Sequence, residues 1–290
     1  MDQVSQMLEE CLNTKETMNN NFQKVFAKAK SENRSCFVAF VTGMDPNYAS
    51  SKEILIELSK YCDCIEIGVS FNTSTSDSSI IMSANDRAIK SGAKTKKIFK
   101  LIKEVKSKIN TDTAFITMGY LNQIHVYGID KYIRDCKKSG VDGCIVVDSN
   151  NEAPEDDQIY KGLKKNDMAF IKLIAPTNDS NYIKQSLKKS SSWLYIVSYA
   201  GVTGSKKVNL DNVKKLSKMI RKHSKIPIGV GFGIKNQDDV KKVSKLADLV
   251  VCGSSIVEKV KEGSQKGLTN LNLAKFVGKY VKTLSEGVKH

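Results

Sequence analysis

Eight short apolar runs, separated by lysine-rich amphipathic stretches, constrain the architecture of this chain more than any other feature. They span residues 36–42, 64–69, 113–118, 143–148, 169–174, 193–198, 226–230 and 249–252. Each is nearly continuous in apolar or β-branched residues, the pattern of a strand covered on both faces and so of a parallel sheet. A helix-length segment lies between successive runs, and the gap after the second has room for two helices, near 81–91 and 95–109. Eight alternating pairs predict closure into a (β/α)8 barrel of the α/β class. The rival, an open doubly wound sheet, would carry a Gly-rich dinucleotide fingerprint after its first strand. Here that strand ends on Thr42-Gly-Met-Asp-Pro46. With four prolines in 290 residues and no low-complexity linker, the chain reads as one barrel domain over 21–290. It is preceded by a polar, partly helical extension over 1–20. The barrel opens on an amphipathic helix with Phe22, Val25, Phe26 and Ala29 along one stripe.

Composition excludes several classes. No apolar run approaches the roughly 18 residues of a membrane helix, and the acidic, polar N-terminus has no signal core. The net charge of +15 invites a nucleic-acid reading. However, the lysines are spread along nearly every helix, arginines are few, and no basic block alternates with aromatics. Neither nucleic acid nor membrane is expected as a partner. Seven cysteines, mostly inside apolar runs (Cys36, Cys64, Cys144, Cys252), form no CxxC pair and no metal cluster with the three histidines. A reducing cytoplasm is the expected location, and no metal is expected.

One carboxylate interrupts the second run. Glu66 lies within Cys64-Ile-Glu-Ile-Gly-Val69, and eleven residues later, past a Ser/Thr/Asn loop, comes Asp77. An ionised carboxylate in a buried strand is costly unless it is paired or its pKa rises, so the two are candidate acid/base partners. The plain alternative makes Glu66 an ion-pair partner of some lysine and Asp77 a helix N-cap. Three glycine motifs end the last three βα units: Ala200-Gly-Val-Thr-Gly204, Gly229-Val-Gly-Phe-Gly-Ile234 and Cys252-Gly-Ser-Ser-Ile256. Each alone is ordinary turn chemistry. Together, at consecutive strand ends of a barrel, they suggest a phosphate clamp of backbone amides and a helix N-terminus.

These segments resemble the α subunit of tryptophan synthase, an indole-3-glycerol-phosphate lyase. The resemblance covers roughly 22–260 and rests on Phe37-Val-Ala-Phe-Val-Thr42, Ile65-Glu-Ile-Gly-Val-Ser-Phe71, Ala84-Asn-Asp-Arg-Ala88 and Met118-Gly-Tyr-Leu-Asn122. It continues through Gly201-Val-Thr-Gly204, Gly231-Phe-Gly-Ile234 and Gly253-Ser-Ser-Ile-Val257. It implies a TIM barrel that cleaves indole-3-glycerol phosphate to indole and glyceraldehyde 3-phosphate without a cofactor. It also implies a PLP-bearing β subunit as partner. By resemblance Glu66 and Asp77 are the catalytic carboxylates, and Tyr195 lines the site and helps orient Glu66. Gly204, Gly233, Gly253 and Ser254 hold the substrate phosphate, and Thr203 is a hydroxyl contact to Asp77. The indole pocket comprises Phe40, Met118, Ile145, Val147, Leu173, Phe232 and Val251.

The loop between the carboxylates departs from that family, whose loop is rich in Pro and Asp. Ser70, Thr73, Ser74, Ser78 and Ser79 stand here instead. The Pro-rich segment after the fourth strand becomes Asp148-Ser-Asn-Asn-Glu-Ala-Pro154, and Tyr199 replaces an Arg. Fewer prolines predict a higher-entropy loop around Asp77 and altered contacts with a β subunit. Beside an active lyase, two readings therefore stand: a catalytically weak or inactive α-like subunit that regulates a PLP-dependent β subunit, and a related barrel lyase for another phosphorylated substrate.

Overall fold

The computed structural model describes residues 20–74, 76–197, 210–231 and 233–290. The predicted extension over residues 1–20 lies almost wholly outside them. Eight parallel strands close in sequence order into a barrel: β1 Cys36–Thr42, β2 Cys64–Gly68, β3 Ala114–Gly119, β4 Gly143–Val146, β5 Ala169–Ile174, β6 Leu194–Val197, β7 Ile228–Gly231 and β8 Leu249–Cys252. Closure is set by β1, which pairs Phe40 with Glu66 on β2 and Val38 with Val251 on β8. The fold is the TIM barrel that the eight apolar runs predict.

The helices follow the same alternation. α1 Asn20–Ser31 precedes the barrel, and α2 Tyr48–Leu58 follows β1. Two helices, α3 Ser79–Lys90 and α4 Thr95–Lys106, fill the long β2–β3 crossover. Then come α5 Leu121–Tyr127, α6 Ile129–Ser139, α7 Pro154–Lys165, α8 Ser180–Lys189, α9 Leu210–Arg221, α10 Gln237–Ser244, α11 Ser254–Gln265 and α12 Asn270–Ser285. Among the described residues no helix is long and apolar enough to cross a membrane.

Strand alternation sorts the side chains into two layers. Inward residues Val38, Cys64, Ile116, Ile145, Ile171 and Trp193 form the barrel interior, with Phe22, Val25 and Ala29 of α1 packed into the same cluster. The cluster includes the first residues of several strands, so α1 plugs the N-terminal end of the barrel. That leaves the C-terminal end open for a site. Outward strand residues and the apolar stripes of α2–α12 form the second, larger cluster.

A repeated device fixes strand starts. Asp63, Asp142 and Asp248 each immediately precede a strand and accept the backbone N–H of Phe37, Phe115 and Ile228, each at 2.8 Å. A cation neutralises each: Arg34 is bidentate to Asp63 at 2.6 and 2.8 Å, Lys106 lies 3.0 Å from Asp142, and Arg221 2.7 Å from Asp248. In sequence these are the Asp-Cys, Asp-Gly and Asp-Leu steps that open β2, β4 and β8. All six described cysteines are buried and free.

Candidate active site

A cavity of about 500 Å³ opens at the C-terminal end of the barrel. Glu66 forms part of its wall from the middle of β2, where it is only 1 % exposed. Its Oε2 has no hydrogen-bond partner among the described residues, and no lysine or arginine there pairs with it. Among the described residues the ion-pair alternative for Glu66 finds no cation. Burial, and secondarily the nearby charge of Asp77, pushes the Glu66 carboxyl up to about 8. At neutral pH it is mostly a protonated acid, which is the form a buried, unpaired carboxyl adopts.

Asp77 reaches the same cavity from the loop between β2 and α3. It is not the helix cap: Ser78 caps α3, accepting the N–H of Ile81 at 3.3 Å. Burial raises its carboxyl, and hydrogen bonds from Ser74 and Asn85 act against that rise. The two carboxyls thus sit in different environments, one almost fully buried with its Oε2 unpartnered among the described residues, the other supplied with a donor by Asn85. That difference separates an acid from an anion in a paired site. Among the described residues no three His, Cys, Asp or Glu side chains gather as a metal site.

The loop that carries Asp77 is held by hydrogen bonds where prolines were missing. Ser70 Oγ donates to the Gly43 carbonyl at 3.1 Å, and Gln123 Nε2 donates to the Ser70 carbonyl at 2.9 Å. Ser76 N–H donates to the Tyr120 hydroxyl at 3.3 Å, and the Tyr120 ring packs on Phe71 with centroids 5.2 Å apart. Asn85 Nδ2 donates to both Ser74 Oγ and Asp77 Oδ2 at 3.2 Å. α3, which carries Asn85, is in turn tied to the β1 loop by Arg87, bidentate to the buried Asp45 at 2.8 Å on both sides. The higher-entropy loop expected from composition is therefore countered by a local polar network on either side of residue 75.

Tyr195 lines the cavity from β6, with its ring tilted on Trp193 at 5.5 Å. Burial, and then the proximity of Glu66, moves its hydroxyl far up, so it stays protonated. The site needs Gly231 beside it: a Cβ there would fall 2.2 Å from the Tyr195 hydroxyl oxygen. Gly233, in the left-handed region at φ +73°, lines the cavity together with Gly253 and Ser254. Gly253 and Ser254 open α11, whose first amides have no carbonyl a turn behind them.

Of the apolar residues assigned by resemblance, Phe40, Met118, Val147, Leu173 and Val251 line the cavity. Ile145 does not. It packs one layer deeper against the interior cluster, because on the two-residue period of β4 the next inward position is Val147. Gly204, Phe232, Thr203 and Tyr199 lie outside the described residues. Ile80 and Ile81 of α3, Tyr182 of α8 and Lys235 after β7 also line the cavity. Sequence reasoning missed these, as it missed Ser74 and Tyr120, whose roles need tertiary placement. Asn85 was visible only as a letter in a motif.

Residues 26–285 match the family described as Tryptophan synthase alpha chain. The chain belongs to the tryptophan synthase alpha chain family. Among solved structures, the tryptophan synthase subunit alpha of Legionella pneumophila is 25 % identical with a TM-score of 0.83, over 93 % of this chain and 98 % of that one. A structure from Aquifex aeolicus is 27 % identical with a TM-score of 0.81, over 93 % and 99 %. A tryptophan synthase structure from Mycobacterium tuberculosis shares the fold at 24 % identity and a TM-score of 0.82, over 93 % and 98 %. The family is one of lyases, and this chain has the barrel, with Glu66 on β2. The loop after β2 is built from hydroxyl and amide side chains.

Proposed function

We propose that the chain cleaves indole-3-glycerol phosphate to indole and glyceraldehyde 3-phosphate. The observation that carries this reading is Glu66: a carboxyl 1 % exposed, its Oε2 without a partner among the described residues and its pKa pushed up by burial, in a cavity that Asp77 also lines. Breaking the C–C bond directly would leave a carbanion at indole C3, a poor leaving group. Protonation of C3 by Glu66 moves positive charge to the ring nitrogen, where the Asp77 carboxylate stabilises it. The Glu66 carboxylate so formed takes the proton of the side-chain hydroxyl. As that C–O becomes the aldehyde, the electrons of the breaking C–C bond return to the ring and restore neutral indole. One proton leaves Glu66 and one returns, so the step balances without a co-reactant. Phe40, Met118, Val147, Leu173 and Val251 supply the apolar wall an indole requires. Gly233, Gly253 and Ser254 supply amides and the start of α11 for the phosphate.

Purified chain, alone or with a tryptophan synthase β subunit, is expected to release indole from indole-3-glycerol phosphate. Asp77→Asn should lower that rate roughly 10²-fold or more, since it removes the charge opposite the developing cation. No indole under either condition removes the lyase reading; an unimpaired Asp77→Asn removes the role of Asp77 alone.

A PLP-bearing β subunit is the partner this reading carries with it. A mixture with such a subunit is expected to elute as one species heavier than either component. Separate elution would leave a stand-alone lyase.

A further inference from the structure

The Ser/Thr loop holds one hydroxyl unlike its neighbours. Ser74 is 1 % exposed in a loop whose Asn72, Thr73 and Ser76 are open to solvent. Its Oγ accepts from Asn85 Nδ2 at 3.2 Å, and the same Nδ2 donates to Asp77 Oδ2 at 3.2 Å. An amide nitrogen only donates, so Ser74 Oγ is the acceptor that holds the Asn85 amide while the same amide donates to Asp77. One buried amide thus bridges the loop hydroxyl and the carboxylate. We infer that Ser74 is a positioning residue of this lyase, a buried hydroxyl that holds the Asn85 amide against Asp77 and so fixes the orientation of its carboxylate.

This rests on the lyase reading for its catalytic consequence, while the arrangement around Asp77 stands apart from it. The titratable groups that face Asp77 are Glu66 from β2 and Tyr120 from the end of β3. Lys235 and Glu258 line the same cavity from the β7 and β8 side. None of these makes the hydrogen bond to the Asn85 amide that Ser74 makes. The loop backbone is held independently by Ser70, Ser76 and Tyr120, so loss of the Ser74 hydroxyl releases the carboxylate rather than the whole loop.

The test compares wild type with Ser74→Ala and Ser74→Cys. Cysteine nearly keeps the volume but its sulfur is a weak acceptor, so it separates the hydrogen bond from packing. Both variants are expected to fold with thermal midpoints near wild type. Both should lower kcat about tenfold with KM little changed, and move the acid limb of the kcat profile to higher pH. The Asp77 carboxyl carbon, followed by 13C NMR and identified by its loss in Asp77→Asn, is expected to titrate at higher pH in both. An unmoved Asp77 resonance, or a Cys variant indistinguishable from wild type, overturns the inference. An inactive wild type with a Ser74-dependent Asp77 titration would instead overturn the lyase reading and leave this one standing.

Discussion

Glu66→Gln is expected to abolish indole release while making the protein more stable at alkaline pH. General acid–base catalysis by one group contributes roughly 10²- to 10⁴-fold, so activity should fall by at least that range, with KM changed little. The stability gain follows from proton linkage. The folded state holds a proton on Glu66 up to about pH 8, whereas the unfolded chain releases it near the ordinary value of 4.5. Between those values the folded state binds more protons, so stability falls as pH rises. The contribution is fully present below about pH 4.5 and lost by about pH 8, and its size is about 4–5 kcal/mol. Gln cannot ionise and removes this slope. Urea denaturation at pH 5, 7 and 9 should therefore show curves that nearly meet at pH 5 and diverge upward, the variant being more stable by about 4 kcal/mol at pH 9. Parallel curves would mean that Glu66 is solvated or paired, and the acid role would fall with them. In the wild type the same titration should set the alkaline limb of kcat/KM near pH 8.

The retained cost of an unpaired carboxyl identifies which features were legible in the sequence. A charge inside an apolar run is anomalous without any coordinates, and Glu66 stands out for that reason. The barrel was legible too, because each strand is covered on both faces and so reads as an unbroken apolar run. The two-helix crossover over 81–109 needed only its length. Ile145 was misplaced because family resemblance identifies a strand but not depth along it, and two residues of rise separate the interior from the cavity wall. Ser74, Asn85 and Tyr120 were not legible as a set. They come from three elements, and polar loop residues look solvated until a helix such as α3 covers them. Missing prolines suggested a loosely held loop, since composition registers chain entropy but not the hydrogen bonds that oppose it.

The second large effect is expected far from the carboxylates, at Asp156. β5 carries Lys172 on its outward face, 1 % exposed, in a largely apolar layer. Lys172 Nζ lies 2.7 Å from Asp156 Oδ1, and Lys189 Nζ lies 3.0 Å from Asp156 Oδ2, so one buried carboxylate serves two ammonium groups. Ser149 joins both Lys172 and Asp156 by hydrogen bonds. Lys189 also pairs with the exposed Asp157 at 2.5 Å and therefore keeps a partner if Asp156 is removed. Lys172 does not. Breaking a buried pair by deleting one partner typically costs about 3–5 kcal/mol. Asp156→Ala should then lower the thermal midpoint by roughly 10 °C. Burial already pulls the Lys172 ammonium below its usual value, with Asp156 opposing that pull. Without Asp156 the folded state favours the neutral amine while the unfolded chain stays protonated, so the loss should deepen as pH falls. Adding Lys172→Met to Asp156→Ala removes the stranded charge, and the double variant should recover most of the midpoint. The network also ties the loop after β4 to α8, through Asn151 Nδ2 to Ser186 Oγ at 2.7 Å and to the Tyr182 carbonyl at 3.2 Å. Tyr182 lines the cavity, so Asp156→Ala should raise KM for indole-3-glycerol phosphate as well. A double variant no more stable than Asp156→Ala would show that the two charges are not coupled. A single variant with unchanged midpoint and pH dependence would show that Lys172 reaches solvent.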